Sequence, residues 1–275
     1  MSEPKPVVVL SVSDHTGITA EAFAHSLVSQ FDGIQAAYQT RSFVDTNEKV
    51  DALVEEIADM ATAETRPIVF YTFGAADLQD RLRQSNALVV RVFGESLERV
   101  ASELGMRPSG RIGGYHGIGD AAAYELRLAA IDFTLTTDDG LGVEHYSRAD
   151  IVLAGVSRVG KTPTCINLSM QYGLRAANYP INPDDHSGDG LPDALRRHRG
   201  KVYGLTIEPR RLHDIRMQRR PGSPYASLEV CRREIAYAEA MFRNEAIALL
   251  DTTSRSIEEI TATIIEEASL TRRVS

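Results

Sequence analysis

Gly155-Val156-Ser157-Arg158-Val159-Gly160-Lys161-Thr162 has the residue types and spacing of a loop that cradles phosphate, G-x-x-x-x-G-K-[ST]. The chemistry is local. Glycines at the two ends let the backbone curl, so that successive N–H groups converge on one point as an anion nest. A helix beginning near Lys161 adds its positive end to that point. The Lys161 ammonium can bridge terminal phosphates, the Thr162 hydroxyl can ligate Mg²⁺, and Arg158 can reach the equatorial oxygens of a phosphoryl group in transfer. Pro163 falls in the first helical turn, where a missing N–H costs little. A chance strand–turn–helix with a surface lysine is the competing reading. All the defining positions match in frame, which favours a nucleotide diphosphate ligand and phosphoryl transfer.

Such a loop works with an acid. Asp14, Asp132, Asp138, Asp139 and Asp251 are the candidates, and Asp139 joins Thr162 in the expected metal site. Asp138-Asp139-Gly140 is a metal-like pair, but Asp-Gly is also common turn chemistry. Asp251 is equally readable as a cap or turn residue. Asp14 is the first choice for a general base, and His116, among glycines, the second. A second turn resembles the first: Val12-Ser13-Asp14-His15-Thr16-Gly17-Ile18-Thr19 also runs from a strand through Ser and Gly to Thr, without a lysine. It offers a second anion site, or it caps a helix through Ser13, Asp14 or Thr16; capping is the slightly favoured reading. Arg196, Arg197, Arg199, Lys201, Arg210, Arg211, Arg216, Arg219 and Arg220 crowd one stretch that holds only Glu208 and Asp214 as acids. That stretch is either a phosphate-holding surface or, for most of its members, a solvated face; Arg216 and Arg220, spaced i, i+4, are expected on one side of a helix.

Positioning these groups requires strand ends. Val7–Val12 and Ala149–Val156 are short β-branched runs that read as buried parallel strands, followed by helices over 19–30 and Lys161–Tyr172. The first of these helices groups Ala22, Phe23, Ser26 and Leu27 on one face. Strands are also predicted over 67–72, 87–93, 175–179, 202–207 and 247–251, and helices over 77–84, 95–104, 120–132, 209–220, 227–244 and 256–270. Strands alternating with helices make the fold class α/β, parallel sheets with flanking helices. The predicted division is an N-terminal α/β domain over 1–105, a Gly-rich loop and connecting helix over 106–145, and a C-terminal P-loop nucleotide-binding domain over 146–275. The glycine-rich stretch over 105–119, which carries Arg111, Tyr115 and His116, is either a linker or an active-site loop. A turn-rich segment over 182–192 is expected to be mobile.

Composition narrows the class. Net charge is −8, which disfavours general nucleic-acid binding. Cys165 and Cys231 stand far apart, with no disulfide or zinc spacing. The polar start lacks a signal-peptide core, and no apolar run approaches the ~20 residues that span a bilayer. Together these predict a cytoplasmic protein with no membrane role, and a homodimer is compatible with them.

Several strings together resemble the bacterial phosphoenolpyruvate synthetase regulatory proteins, of the pyruvate, phosphate dikinase regulatory protein family: SDHTGITAE from Ser13, AAIDFT from Ala129, DDG from Asp138, GVSRVGKTPT from Gly155, LRAANYP from Leu174, YGLTI from Tyr203 and YAS from Tyr225. They run through nearly the whole chain. The resemblance implies a bifunctional enzyme. It would phosphorylate a threonine of a dikinase with ADP as donor, inactivating it. It would reverse this with inorganic phosphate, releasing pyrophosphate. RAANYP and the acidic Pro183-Asp184-Asp185 look more like the phosphoenolpyruvate synthetase branch, so the implied partner is pyruvate, water dikinase, with pyruvate, phosphate dikinase as the alternative. His15 departs from the commoner form of its motif. The rival readings are an ordinary P-loop kinase using ATP on a small metabolite and a non-catalytic nucleotide switch.

Overall fold

The computed structural model describes residues 5–62, 65–108, 121–182 and 190–274. The chain divides into two compact units, Met1–Gly117 and Ile118–Ser275. Each is built on a four-stranded parallel sheet with helices beside it.

The first unit runs β1 (Lys5–Val12), α1 (Ile18–Val28), β2 (Ile34–Arg41), α2 (Asn47–Met60), β3 (Ile68–Tyr71), α3 (Ala76–Leu82), β4 (Leu88–Arg91) and α4 (Gly94–Leu104). Its strand order is β2-β1-β3-β4. Alternate residues of β1 serve opposite faces, as pleating requires. Val9 packs with Ala24, Val28 and Phe70, whereas Leu10 and Val12 pack with Val50, Leu53 and Ile57 of α2. The face of α1 that packs is Ala20, Ala24 and Val28, not the predicted group, and Phe23 and Leu27 are exposed. Small residues at i, i+4 and i+8 let the helix approach the sheet, a signal easily outweighed on paper by the larger Phe and Leu. The β2–α2 pair carried no expectation of its own, because Gln35, Gln39 and Thr40 dilute the strand pattern. The α2 helix begins at Thr46, whose side chain accepts from the Lys49 amide.

The second unit runs α5 (Ala121–Thr136), β5 (Ile151–Gly155), α6 (Lys161–Tyr172), β6 (Ala176–Pro180), α7 (Asp193–Arg196), β7 (Val202–Thr206), α8 (Pro209–Arg219), α9 (Leu228–Asn244), β8 (Leu249–Asp251) and α10 (Ile257–Glu267). Its order, β6-β5-β7-β8, repeats that of the first sheet. All of β5 is buried, which is why it reads as an unbroken apolar run. In both sheets the first strand has the second on one side and the third on the other. The loop after the first strand therefore leaves at a topological switch point, where parallel α/β sheets bind ligands. The predicted His116, Arg111 and Tyr115 lie outside the described residues, as do residues 183–189 of the predicted mobile segment.

Candidate active site

The turn from β5 into α6 is closed by residues of unusual backbone geometry. Gly160, just before the helix, has φ 97°, and a side chain added there would meet nothing within 4 Å. Gly155 is required for a different reason: a Cβ there would sit 2.5 Å from the carbonyl oxygen of Leu205 on β7. Arg158 also takes the left-handed conformation, φ 77°, with its side chain exposed. A non-glycine residue so placed costs of order 1 kcal/mol and is characteristic of ligand clamps.

The carbonyls of this turn are held by the turn's own Lys161 and by residues beyond it. Gly155 O accepts from the Ile181 amide at 2.9 Å and from Lys161 Nζ at 2.9 Å, and Val156 O accepts from Lys161 Nζ at 3.0 Å. Ser157 O accepts from Arg216 Nη2 at 3.0 Å, and Val159 O from Thr252 Oγ1 at 3.1 Å. Gly160 O accepts from the amide and the hydroxyl of Thr164, at 3.2 and 2.9 Å. In a trans peptide the C=O of one residue and the N–H of the next point oppositely, and the chain has no cis bond among its described residues. With the oxygens of Ser157, Val159 and Gly160 tied to Arg216, Thr252 and Thr164, the amides of Arg158, Gly160 and Lys161 are aimed the other way. No acceptor among the described residues takes those N–H groups. Unpartnered donors at a helix N-terminus are what an anion site is made of, which makes this turn the candidate.

Lys161 is buried, and its ammonium rests on the two carbonyls just named. Burial pulls its pKa from the ordinary 10.5 down to about 8, with Asp139 the leading charge that opposes this. An ammonium that is poorly solvated and sits beside the nest is ready to turn toward a phosphate.

Asp138, Asp139 and Gly140 form a tight helical turn after α5. Asp138 Oδ1 accepts from Thr162 Oγ1 at 2.8 Å and from the Asn178 side-chain amide. Asn178 Oδ1 accepts from the Asp139 amide at 2.9 Å, so one buried side chain on β6 fixes the pair. Asp139 itself has φ 53° and is exposed. The carboxylate touching Thr162 is thus Asp138, while the sequence-predicted Asp139 stands next to it. Asp251 closes strand β8, its carboxylate accepting from the Thr253 amide at 2.8 Å. Thr252, Asn178 and Arg216 were not singled out for this site from sequence. Asn178 had a signal in its motif, and Thr252 had none.

Asp14 lies in the other unit, at the end of β1, buried, with the Gly74 amide 3.4 Å from its carboxylate. The capping expectation fails there. The residue preceding α1 is Gly17, with no side-chain cap; Ser13 Oγ instead accepts from the His15 amide and the Thr72 hydroxyl. The basic stretch needs a second correction. Arg216 is fully buried, whereas Arg220 ends α8 with φ −142° and is exposed, so the two share no face. Cys165 and Cys231 are free and buried. No helix among the described residues is long and apolar enough to cross a membrane.

Residues 9–265 match the family model described as kinase/pyrophosphorylase. The chain belongs to that family. Its relatives include proteins named "Putative phosphoenolpyruvate synthase regulatory protein". One from Burkholderia ambifaria is 49% identical over 96% of this chain and 98% of its own. One from Deinococcus radiodurans is 43% identical over 95% and 94%, and one from Aromatoleum aromaticum is 44% identical over the full length of both. The family's description is one of phosphate chemistry.

Proposed function

We propose that the protein is a bifunctional regulator of phosphoenolpyruvate synthase (pyruvate, water dikinase), phosphorylating a threonine of that enzyme with ADP and removing the phosphate with inorganic phosphate. The observation that carries this is the turn Gly155–Thr162, whose Ser157, Val159 and Gly160 carbonyls are tied away by Arg216, Thr252 and Thr164 and whose Arg158, Gly160 and Lys161 amides have no acceptor among the described residues. The names of the relatives supply the partner.

In the forward direction the β-phosphate of ADP lies in the nest. The threonine oxygen attacks it, the bond to the α-phosphate bridging oxygen breaks, and AMP leaves with that oxygen. In the reverse direction an oxygen of inorganic phosphate attacks phosphothreonine, giving pyrophosphate and free threonine. The chain's work is positioning and charge. The amides of Arg158, Gly160 and Lys161 orient the donor phosphate, Lys161 offsets its charge, and Arg158 reaches the equatorial oxygens. Asp14 belongs to the other unit and His116 lies outside the described residues, so the base in this proposal is Asp139, exposed beside the loop, which takes the threonine proton in the forward direction and returns it in the reverse. Thr162 and Asp138 offer adjacent hard oxygens, which suits Mg²⁺, an ion that takes few protein ligands and fills its shell with water and phosphate. Bound there, the ion would neutralise phosphate charge.

The test is direct. The purified protein is incubated with pyruvate, water dikinase, ADP and Mg²⁺, and phosphothreonine is mapped; phosphate is then added and pyrophosphate measured. Labelling of the dikinase from ADP and its phosphate-dependent loss are expected. ATP-dependent labelling of a small metabolite, with none of the dikinase, would overturn the reading.

A further inference from the structure

Arg216 is fully buried, yet its neighbours are not those of a simple ion pair. Nη2 donates to Glu234 Oε2 at 2.6 Å and to Ser157 O at 3.0 Å, and Nη1 donates to Tyr225 O at 3.0 Å. The guanidinium lies 3.9 Å from the centroid of the Tyr225 ring. One side chain on α8 thus joins α9, the turn at Pro224–Ala226 and the phosphate loop. The same turn is anchored again by Ala226 O, 2.5 Å from His213 Nδ1.

Stability alone is a weak reason for such a group. Burying a guanidinium and a carboxylate costs several kcal/mol each in hydration, and a packed apolar pair of the same volume often does as well. A planar fork does what an apolar residue cannot: it fixes several acceptors at set angles. The acceptor that matters is Ser157 O. Because that oxygen is pulled toward Arg216, the Arg158 N–H across the same peptide plane faces the nest.

We propose that Arg216, held by Glu234 and Tyr225, is a positioning residue that presets the Arg158 amide of the phosphate loop and thereby the affinity for ADP and for inorganic phosphate. This rests on reading Gly155–Thr162 as the phosphate site. Both ligands use the same amides, so both affinities respond together. The residue touches no reacting atom, so turnover at saturating ligand is little changed.

The experiment uses the full chain with Arg216→Lys and, separately, Glu234→Gln. Dissociation constants for ADP and for inorganic phosphate are measured by calorimetry, with circular dichroism and melting temperature as controls and KM and kcat for ADP alongside. Lysine keeps the charge and loses the fork, so both ligands should weaken by the same factor, about tenfold, with KM rising and kcat held within about threefold. Glutamine keeps an acceptor at position 234, so its loss should be smaller and equally shared. A folded Arg216→Lys protein that binds both ligands within twofold of wild type overturns the inference, even if its melting temperature falls. If that variant does not fold, unchanged affinities in Glu234→Gln overturn it instead. Wild-type protein binding neither ADP nor phosphate would bring down the phosphate-site reading itself, and this inference with it.

Discussion

Two turns occupy the same place in two sheets of the same strand order, and they differ in charge. After β1, the oxygens of Ser13, His15, Thr16 and Gly17 are tied by Val44, Phe43, Ser42 and Glu21, much as the oxygens after β5 are tied. Both turns thus curl, with carbonyls held by residues beyond the turn. After β5 the enclosed side chain is the Lys161 ammonium; after β1 it is the Asp14 carboxylate. The space in front differs as well. A Cβ on Gly17 would lie 2.8 Å from Thr40 Cγ2 on β2, whereas one on Gly160 would meet nothing. The two curled backbones thus differ in the charge they enclose and in the clearance at the glycine before the helix. A cation in place of an acid favours an anion there, so the β5 turn is the one expected to take polyphosphate.

Breaking the lysine should have the largest effect. Lys161→Ala should lower ADP-driven phosphorylation and phosphate-driven dephosphorylation together, by about three orders of magnitude, since a lost charge-stabilising donor costs 10²–10³ and here the charge goes too. Assaying both directions on one preparation checks this; intact dephosphorylation would show that a different site serves it. Next, Asp139→Asn should lower both rates by about 10², with the dissociation constant for ADP unchanged, as loss of a base predicts. An equal loss in Asp138→Asn together with weakened Mg²⁺ dependence would separate the neighbouring acid's role from it.

Much of this contrast was legible in the sequence, and the unread part has a physical cause. The β5–turn–α6 unit follows from a run of apolar residues, two glycines and a lysine, all short-range signals. That the β1 turn resembles it was also readable, because Ser, Gly and Thr recur in order. What could not be read were contacts made across many residues. Asp138 and Thr162 hydrogen-bond directly across 24 residues, and Asn178 on β6 reaches both. Arg216 looks like one more exposed arginine until α9 sets Glu234 against it. The capping expectation at Ser13 failed for the same reason: Thr72 on the neighbouring chain segment claims the hydroxyl.

Protonation sharpens the comparison further, at about tenfold. Lys161 has its folded pKa lowered to about 8. Between about pH 8 and the ordinary 10.5, the unfolded chain holds a proton that the native chain has released, so the Lys161 contribution to stability rises with pH there. Anion affinity moves the opposite way. Bound phosphate favours the ammonium, so affinity for ADP should be level below pH 8 and fall up to about tenfold per unit above it, with proton uptake on binding. Calorimetry in two buffers of different ionisation enthalpy measures that uptake, and Lys161→Ala should abolish it. A smaller effect is expected from Arg158→Gly. It relieves the φ 77° strain and should raise the melting free energy by about 1 kcal/mol while lowering phosphoryl transfer. Unchanged stability in a denaturant titration would mean that the arginine is not strained there.

The smallest effect should come from the other turn. Asp14 is enclosed at the end of β1, with the Gly74 amide as its neighbour, and it belongs to the unit that lacks the lysine. If the cation beside the β5 turn governs nucleotide affinity, Asp14→Asn should leave the dissociation constant for ADP within twofold of wild type, because the nest and Lys161 remain intact. The substitution removes one negative charge and keeps a hydrogen-bonding side chain of the same shape, so folding should survive it. Measuring ADP binding in Asp14→Asn, Lys161→Ala and the double variant then assigns the sites. Weak binding in Lys161→Ala that is restored by adding Asp14→Asn would mean that the β1 turn accepts the nucleotide once its carboxylate charge is gone. The acid, rather than the missing lysine, would then be what distinguishes the two turns. No restoration leaves the distinction with the lysine and with the open space before Gly160.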